Sequence, residues 1–438
     1  MLYRILKLII TLGVRSYYKE IRVINGEHLD QQGPLILIAN HPNTLMDAWI
    51  MGYINHRRVH FMAKATFFNS PLKRKLLAAL GMIPINRKSD GMIQGVANKD
   101  SFEACYQLLE RGEILVIFPE GTSFLERRLR ELKTGTARIA LEAEHRNGGK
   151  LGLQVIPVGL NYISADSFRG SVMAHVGKPI SVDAFLEEYT TNQGIAAKKL
   201  TERFRTELSR VFVTMDDDVK EQLGQQLSYL FHSKYAATEK GVRQSIGFMK
   251  QFQERLDVIA VSAPWKLEVI HEEASALSKS LTVFGIRPDF LDRPYRSTLY
   301  LRQTLQSYFF LLLTIPFFLV GFVHNVLPYY LIGKVVPRLS REIEYHAPLT
   351  VLLGLLLYPL TYIGWTVLLN TLLHPSWTVL LAYAVLLPVT GLFAHFFLRY
   401  VRHLLSKQQF SRFARRRKGV FLQLKAQRAA LKDLIFND

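Results

Sequence analysis

Short apolar runs alternate with polar, helix-favouring stretches between about residues 33 and 180. Runs of about 4–8 apolar residues that end at turn residues indicate buried strands. Strands that alternate with helices predict an α/β fold. We therefore place an α/β domain at residues 25–185, and its predicted strands are LILIAN, VHFMAK, MIPINR, ILVIFPEG, LQVIPVGLNY and VMAHVGKPI.

The first segment, residues 1–24, has apolar side chains on one helical face and basic side chains on another. This pattern predicts an amphipathic helix that lies on a membrane. A signal peptide fits less well, because Lys7 interrupts the apolar region and no small-residue cleavage site follows it. An ordinary surface helix remains the alternative. The apolar positions are Leu2, Ile5, Leu8, Ile9 and Leu12, and the basic ones include Arg4, Lys7, Arg15 and Lys19.

After the α/β domain the strand pattern disappears, and residues 186–300 predict a helical subdomain without recognisable chemistry. Residues 301–400 then predict a membrane region, because residues 348–398 contain no Lys, Arg, Asp or Glu. A membrane-spanning helix needs about 20 predominantly apolar residues. A buried core helix is the alternative, and the length without charge argues against it.

The flanking charges predict how this membrane region is arranged. Basic residues lie on both sides of residues 308–333, and Lys and Arg favour the cytoplasmic side. We therefore expect 308–333 to form a re-entrant hairpin, broken at residues such as Pro316, Gly321 and Pro328. We expect 348–398 to form a full helical hairpin, followed by a basic helical tail over 401–438 on the same cytoplasmic face as the α/β domain. Three simple crossings are the alternative.

The composition limits the classes of molecule that the protein is expected to bind. The net charge is +19, and a basic protein attracts nucleic acid, anionic lipid or phosphorylated substrates. Because 49% of the residues are hydrophobic, membrane lipid is expected and nucleic acid is not. Cys105 is the only cysteine, so an intrachain disulfide is excluded and a buried thiol is expected. We find no Cys/His cluster and expect no metal or cofactor.

The segment ANHPNTLMDAW carries the first candidate chemistry. His41 follows a predicted strand, and Pro42 suits the first turn of a helix. A neutral imidazole at this point can take a proton from an attacking alcohol. Asp47 on the following helix can hold the other ring nitrogen. A single His and a single Asp are weak evidence on their own.

Three further segments add to this one. GMIPINRKS carries Arg87, whose planar guanidinium suits phosphate. ILVIFPEGTSF ends in Glu120, Gly121 and Thr122, where the glycine allows a sharp turn. In LKTG, Lys133 lies at a loop-to-helix junction that favours phosphate. VIPVGLNY is interpreted as a wall of the acyl site.

In this order and spacing, the four segments resemble the four blocks of the glycerol-3-phosphate and lysophosphatidate acyltransferases, the PlsC-type domain, over roughly residues 25–185. The resemblance implies a mixed sheet flanked by helices and an acyl-CoA or acyl-carrier-protein donor, with no metal. It also implies His41 as general base, Asp47 as its partner, and Arg87, Glu120 and Gly121 in acceptor binding.

One departure bears on the acceptor. Most members of this family place four residues between the His and the Asp, whereas five separate them here. His41 must therefore lie outside the helix for the pair to meet. Five-residue spacing resembles the branch that acylates glycerol 3-phosphate or dihydroxyacetone phosphate, which is the expected acceptor class. Lysophosphatidate is the first alternative, and a non-catalytic protein that binds lipid or acyl carrier is the second.

Overall fold

The computed structural model of the protein describes residues 2–86, 98–213, 218–231, 239–292 and 297–437. Its strands are β1 (Glu20–Ile24), β2 (Leu35–Ala39), β3 (Val59–Lys64), β4 (Met82–Ile85), β5 (Ile114–Ile117), β6 (Gln154–Ile163), β7 (Ser171–Val176) and β8 (Ile180–Ser181). The earlier helices are α1 (Leu2–Tyr17), α2 (Thr44–Ile54), α3 (Pro71–Ala79), α4 (Asn98–Glu110), α5 (Gly135–Arg146), α6 (Leu186–Thr191) and α7 (Gln193–Val211). The later helices are α8 (Asp218–Phe231), α9 (Glu239–Ser262), α10 (Trp265–Phe284), α11 (Ser297–Leu339), α12 (His346–Leu373), α13 (Trp377–Arg416) and α14 (Lys418–Phe436).

The chain divides into two compact units. The first contains residues up to 216 together with 340–351, and the second contains the remainder. In the first unit one sheet has the order β1-β7-β6-β2-β5-β3-β4, with β8 paired to β6. β6 and β7 are antiparallel, whereas β2 is parallel to both β5 and β6. This mixed sheet with flanking helices confirms the predicted fold class.

The six predicted strands are confirmed as β2 to β7. The β2 strand is buried along its whole length, as expected for a central strand covered on both faces. On one face, side chains of α4, α5 and α7 pack with those of β2 and β5 in a single core. Cys105 on α4 is part of this core, and its burial raises the pKa of the thiol to about 12.

Two predicted boundaries are wrong. Residues 20–24 are not part of an N-terminal helix but form β1, which pairs in parallel with β7. This pairing joins segments far apart in sequence, so the local pattern does not reveal it. The predicted boundary at residue 186 is also too early, because Leu200 and Phe204 of α7 are buried in the core beneath the sheet.

The second unit contains its own hydrophobic core. Apolar side chains of α8, α9 and α10 pack there with side chains of α14, including Phe421, Leu424 and Leu431. The predicted basic tail over 401–438 is helical. It comprises the end of α13 and all of α14, and its apolar face is buried rather than exposed to solvent.

The predicted re-entrant hairpin over 308–333 is wrong, because α11 is one continuous helix that contains Pro316 and Pro328. Helix-breaking residues are tolerated in apolar helices where neighbouring groups restore the hydrogen bonds. Gly321 serves close packing instead of a break, since a Cβ added there would lie 2.1 Å from the carbonyl oxygen of Thr390 on α13. Small residues allow helix backbones to approach in this way.

In the part of the chain that the structure describes, three helices are long and apolar enough to cross a membrane, namely α11, α12 and α13. The N-terminal helix α1 is shorter, and the five apolar side chains predicted to face the membrane, Leu2, Ile5, Leu8, Ile9 and Leu12, are exposed. This exposed apolar face supports the prediction that α1 lies on a membrane surface.

Candidate active site

Three segments of the first unit meet at one edge of the sheet. Because β2 is parallel to its neighbours β5 and β6, the carboxyl ends of all three strands lie together. His41 follows β2, Glu120 follows β5, and Tyr162 lies near the end of β6. Ligands of open α/β sheets bind in the crevice at the carboxyl ends of parallel strands.

His41 and Asp47 are in direct contact. Nδ1 of His41 lies 2.8 Å from Oδ2 of Asp47. The helix α2 begins only at Thr44, so His41 precedes the helix and Asp47 occupies its first turn. This arrangement accommodates the five intervening residues. Since a carboxylate only accepts hydrogen bonds, Nδ1 carries the proton and Nε2 is the acceptor nitrogen of the neutral ring.

The carboxylate of Asp47 is fully buried, whereas 14% of the His41 side chain is exposed. The backbone N–H of Asn43 donates to Oδ2 at 2.7 Å, and the hydroxyl of Tyr162 donates to Oδ1 at 2.5 Å. Burial, together with the charge of Asp47, raises the pKa of Tyr162 well above its usual value. Tyr162 therefore remains protonated and continues to donate.

Two asparagines fix the turn that carries His41. The side chain of Asn40 donates to the carbonyl of Leu160 at 3.0 Å and accepts from its N–H at 2.7 Å. The side chain of Asn43 donates to the hydroxyl of Tyr18 at 3.2 Å. All these groups are buried, and their hydrogen bonds hold the loop after β2 against β6 and against Tyr18, the residue that follows α1.

Glu120 connects two of the predicted segments. One carboxylate oxygen accepts the backbone N–H of His41, and the other accepts the backbone N–H of Arg130, each at 3.1 Å. The side chain is buried, and this burial raises the pKa of the carboxyl above its usual value in spite of the two donors. Glu120 thus points toward the protein backbone and orders the loops on both sides of His41.

The remaining predicted residues lie beside this centre. Gly121 has a φ of +76°, a conformation that favours glycine, and its position faces the side chain of Lys133. Lys133 lies two residues before the start of α5, and its backbone N–H donates to the carbonyl of Pro119. Thr122 is exposed, as is 67% of the Lys133 side chain. Arg87 lies outside the described residues.

A strained backbone position lies next to the loop that carries His41. Thr44 has a φ of +43°, which is rare for a β-branched residue. Its hydroxyl donates to the backbone carbonyl of Glu344 at 3.0 Å. Outliers of this kind cost energy and are retained where surrounding contacts hold them. The segment 340–351 therefore supports the start of α2 within the first unit.

Asn40, Asn43, Phe118 and Tyr162 contribute to the site but were not predicted from the sequence. The ring of Phe118 stacks on His41 with centroids 4.0 Å apart. Tyr162 belongs to VIPVGLNY, which was interpreted only as a wall of the acyl site. The sequence signal for Tyr162 was its position near the carboxyl end of β6, the strand that neighbours β2. Among the described residues, no group of three or more His, Cys, Asp or Glu is placed to hold a metal ion.

Comparisons with known proteins agree with this geometry. The family model described as Acyltransferase matches residues 20–161, the region that contains the described site residues except Tyr18, Tyr162 and the segment 340–351. Residues 20–161 therefore resemble an acyltransferase domain, in agreement with the four sequence blocks.

The matched relatives are similar to part of this chain. A chloroplastic 1-acyl-sn-glycerol-3-phosphate acyltransferase of Arabidopsis thaliana is 25% identical over 36% of this chain and 40% of its own length. An uncharacterized acyltransferase of Schizosaccharomyces pombe is 31% identical over 24% of this chain and 14% of its own length. The chain thus covers less than half of either relative.

Solved structures were also matched, and one of them is an acyltransferase. The 1-acyl-sn-glycerophosphate acyltransferase PlsC from Thermotoga maritima is 19% identical and has a TM-score of 0.34, with 47% of this chain and 78% of that chain covered. At that TM-score, the assignment of the domain rests on the sequence matches and the site geometry.

Proposed function

We propose that the protein is an O-acyltransferase of phospholipid biosynthesis. It transfers a fatty-acyl group from a thioester donor, acyl-CoA or acyl-carrier protein, to a hydroxyl of a phosphorylated glycerol acceptor. The observation that carries the proposal is the contact of His41 with the buried carboxylate of Asp47, inside a domain that matches the acyltransferase family. The membrane helices keep the enzyme beside its lipid substrates or products.

The chemistry follows from the tautomer that Asp47 imposes. Nε2 of His41 accepts the proton of the acceptor hydroxyl while that oxygen attacks the thioester carbonyl carbon. The tetrahedral intermediate collapses by breaking the carbon–sulfur bond, and the thiolate takes the proton from Nε2. The products are an ester and a free thiol, and no acyl-enzyme forms. Asp47 stabilises the imidazolium that exists between the two proton transfers.

The hydrogen bonds around His41 and Asp47 hold both side chains in the orientation that the reaction requires. Tyr162 and the N–H of Asn43 hold the carboxylate, so His41 needs little rearrangement when it becomes charged. We assign Glu120 a positioning role, because both of its oxygens are occupied by backbone N–H groups. We propose Lys133, which lies beside the turn formed by Gly121 and Thr122, and Arg87 as the contacts for the acceptor phosphate.

Lysophosphatidate is the acceptor that the comparisons favour. The Arabidopsis relative is named for 1-acyl-sn-glycerol 3-phosphate. Glycerol 3-phosphate or dihydroxyacetone phosphate is the second candidate, and the observation in its favour is the five-residue spacing from His41 to Asp47. Both acceptors offer a hydroxyl close to a phosphate, so the same proposed base and phosphate contacts serve either one.

The test is an acyl-transfer assay with the purified full-length chain in lipid nanodiscs. Lysophosphatidate, glycerol 3-phosphate and dihydroxyacetone phosphate are offered in parallel with acyl-CoA and acyl-carrier protein. We expect the highest kcat/KM with lysophosphatidate. A higher value with glycerol 3-phosphate would reverse the acceptor assignment, and no ester with any donor–acceptor pair would contradict the enzyme assignment.

A non-catalytic protein that binds lipid or acyl carrier is the candidate from another class. The intact contacts of His41, Asp47 and Glu120 disfavour it, because binding alone does not require a base held by a buried carboxylate. Saturable binding of acyl donor without turnover, equal in wild type and His41→Ala, would support that candidate instead.

A further inference from the structure

A polar cavity lies between α11 and α13 in the second unit. Its volume is about 410 Å³, within the range of roughly 300–1,000 Å³ typical of small-molecule sites. Both helices contribute polar side chains to it. These are Gln303, Gln306 and Ser307 of α11, and Tyr400, His403 and Lys407 of α13.

The cavity lies where both helices change from apolar to polar sequence. The apolar run of α11 begins at Tyr308, and that of α13 ends at Leu398. On the polar side of the cavity, Tyr300 and Phe410 are buried in the core of the second unit. Helices that cross a bilayer change from apolar to polar residues at the headgroup level. The cavity is therefore at the height of lipid headgroups.

Lys407 supplies positive charge to the cavity lining, and Gln303, Gln306, Ser307 and Tyr400 supply neutral polar groups. Nζ of Lys407 donates to the side-chain oxygen of Gln303 and lies 5.2 Å from the ring centre of Tyr300. Arg287, which lies outside the lining and is itself paired with Asp289, donates to Nδ1 of His403 at 3.2 Å. Since arginine has no acceptor, the neutral imidazole carries its proton on Nε2. Among the described residues that line the cavity there is no Asp or Glu.

We propose that this cavity binds the phosphate group of an anionic phospholipid. A soluble phosphate ester offers the same oxyanion, but the apolar surface beside the cavity favours a lipid. Phe309 and Leu312, on the next turn of α11, are 70% and 71% exposed and give the acyl chains a surface to lie on. Basic pockets between membrane helices are known to bind anionic headgroups.

The test measures lipid retention and does not depend on acyltransferase activity. The full chain is extracted from nanodiscs of equal parts phosphatidylglycerol and phosphatidylcholine, and bound lipids are counted by native mass spectrometry. We expect wild type to retain phosphatidylglycerol preferentially. Lys407→Met should reduce that preference about fivefold, the size expected for one cation at a membrane surface. Lys407→Arg should keep it.

Lys418→Met is the matched control, because Lys418 is exposed and lies outside the cavity. An equal loss of preference in Lys418→Met would overturn the proposal, since general surface charge would then explain the binding. If Lys407→Met fails to fold by circular dichroism, Gln306→Leu replaces it, because Gln306 is exposed at the rim. An unchanged preference in Gln306→Leu would then count against the site.

Soluble competitors separate the two sources of phosphate. Glycerol 3-phosphate and inorganic phosphate at millimolar concentration should not displace the retained phosphatidylglycerol. Complete displacement by either would overturn the lipid assignment. Equal retention of phosphatidylglycerol and phosphatidylcholine by wild type would show that the cavity does not select an anionic headgroup.

Discussion

In the first unit the apolar runs are strands that disappear into a core, whereas in the second unit the longest apolar runs remain on the surface. Leu37 of β2 is fully buried, while Leu313 and Phe317 of α11 are each 64% exposed. A strand needs a partner for its backbone groups and finds it in the sheet. A helix satisfies its own backbone and can therefore face lipid.

The two units also differ in what their buried polar groups contact. In the first unit they converge on Asp47 and leave a histidine at the surface of the sheet edge. In the second unit Asn325 is buried between helices, where it donates to the carbonyl of Gly321 and accepts from the hydroxyl of Tyr362. We infer that the first set of polar groups serves chemistry and the second set serves helix association.

Removal of the base should give the largest effect. His41→Ala is expected to lower kcat by about 10²–10⁴-fold, because general-base catalysis contributes that much. Folding and membrane association should be retained. His56→Ala is the matched control, since His56 is exposed and lies outside the site. Near-normal kcat for His41→Ala in the steady-state assay would contradict the mechanism.

Loss of the tyrosine hydroxyl should give the next largest effect. Tyr162→Phe removes the donor to Oδ1 of Asp47, and a hydrogen bond to a charged group contributes about 1.5–3 kcal/mol. We expect kcat to fall about tenfold or more, with little change in KM. The exposed Tyr229 provides the control Tyr229→Phe. If Tyr162→Phe changed KM for the acceptor and left kcat intact, Tyr162 would be a binding residue instead.

Two glycines of α11 test the packing of the second unit. A Cβ at Gly321 would meet the backbone of Thr390, whereas a Cβ at Gly333 would have nothing within 4 Å. Overpacking costs about 1–3 kcal/mol, so Gly321→Ala should lower the melting temperature by several degrees. Gly333→Ala should leave it unchanged or raise it slightly. Equal melting temperatures would show that α11 and α13 are not closely packed.

The proposed phosphate contacts should give the smallest effects. Lys133→Ala and Arg87→Ala are expected to raise KM for the phosphorylated acceptor several-fold and KM for the acyl donor less. Arg87→Lys should restore binding only in part, because lysine lacks the planar bidentate geometry. Lys150→Ala, at an exposed lysine after α5, is the control. A change confined to the donor KM would reassign these residues.

The sequence predicted the first unit better than the second. Alternating apolar runs identified β2 to β7, and the four blocks singled out His41, Asp47 and Glu120, which the structure brings into contact. The features that the sequence did not reveal depend on contacts between segments that are distant along the chain. Tyr162 reaches Asp47 only because β6 lies beside β2, and β1 forms only because β7 is available. In α11, prolines and Gly321 indicated breaks, whereas the neighbouring α13 makes a continuous helix possible.

The role of Glu120 also required the structure. In the sequence, a carboxylate beside a glycine in FPEGTS resembles a group that faces a substrate. The structure shows that its oxygens face the backbone N–H groups of His41 and Arg130. The side-chain direction at the end of a strand depends on the course of the following loop, and a pattern of residue types does not contain that information.

The shared core of α14 with α8, α9 and α10 has a consequence for counting passages through the bilayer. Those three helices precede the apolar stretches and α14 follows them, yet Leu277 and Leu424 pack in one cluster. A chain that finishes on the side where it started has made an even number of passages. We therefore predict that at most two of α11, α12 and α13 cross completely. In a Cys105→Ser background, Lys279→Cys and Lys418→Cys should accordingly show equal reactivity toward an impermeant thiol reagent, and opposite reactivity would mean an odd number.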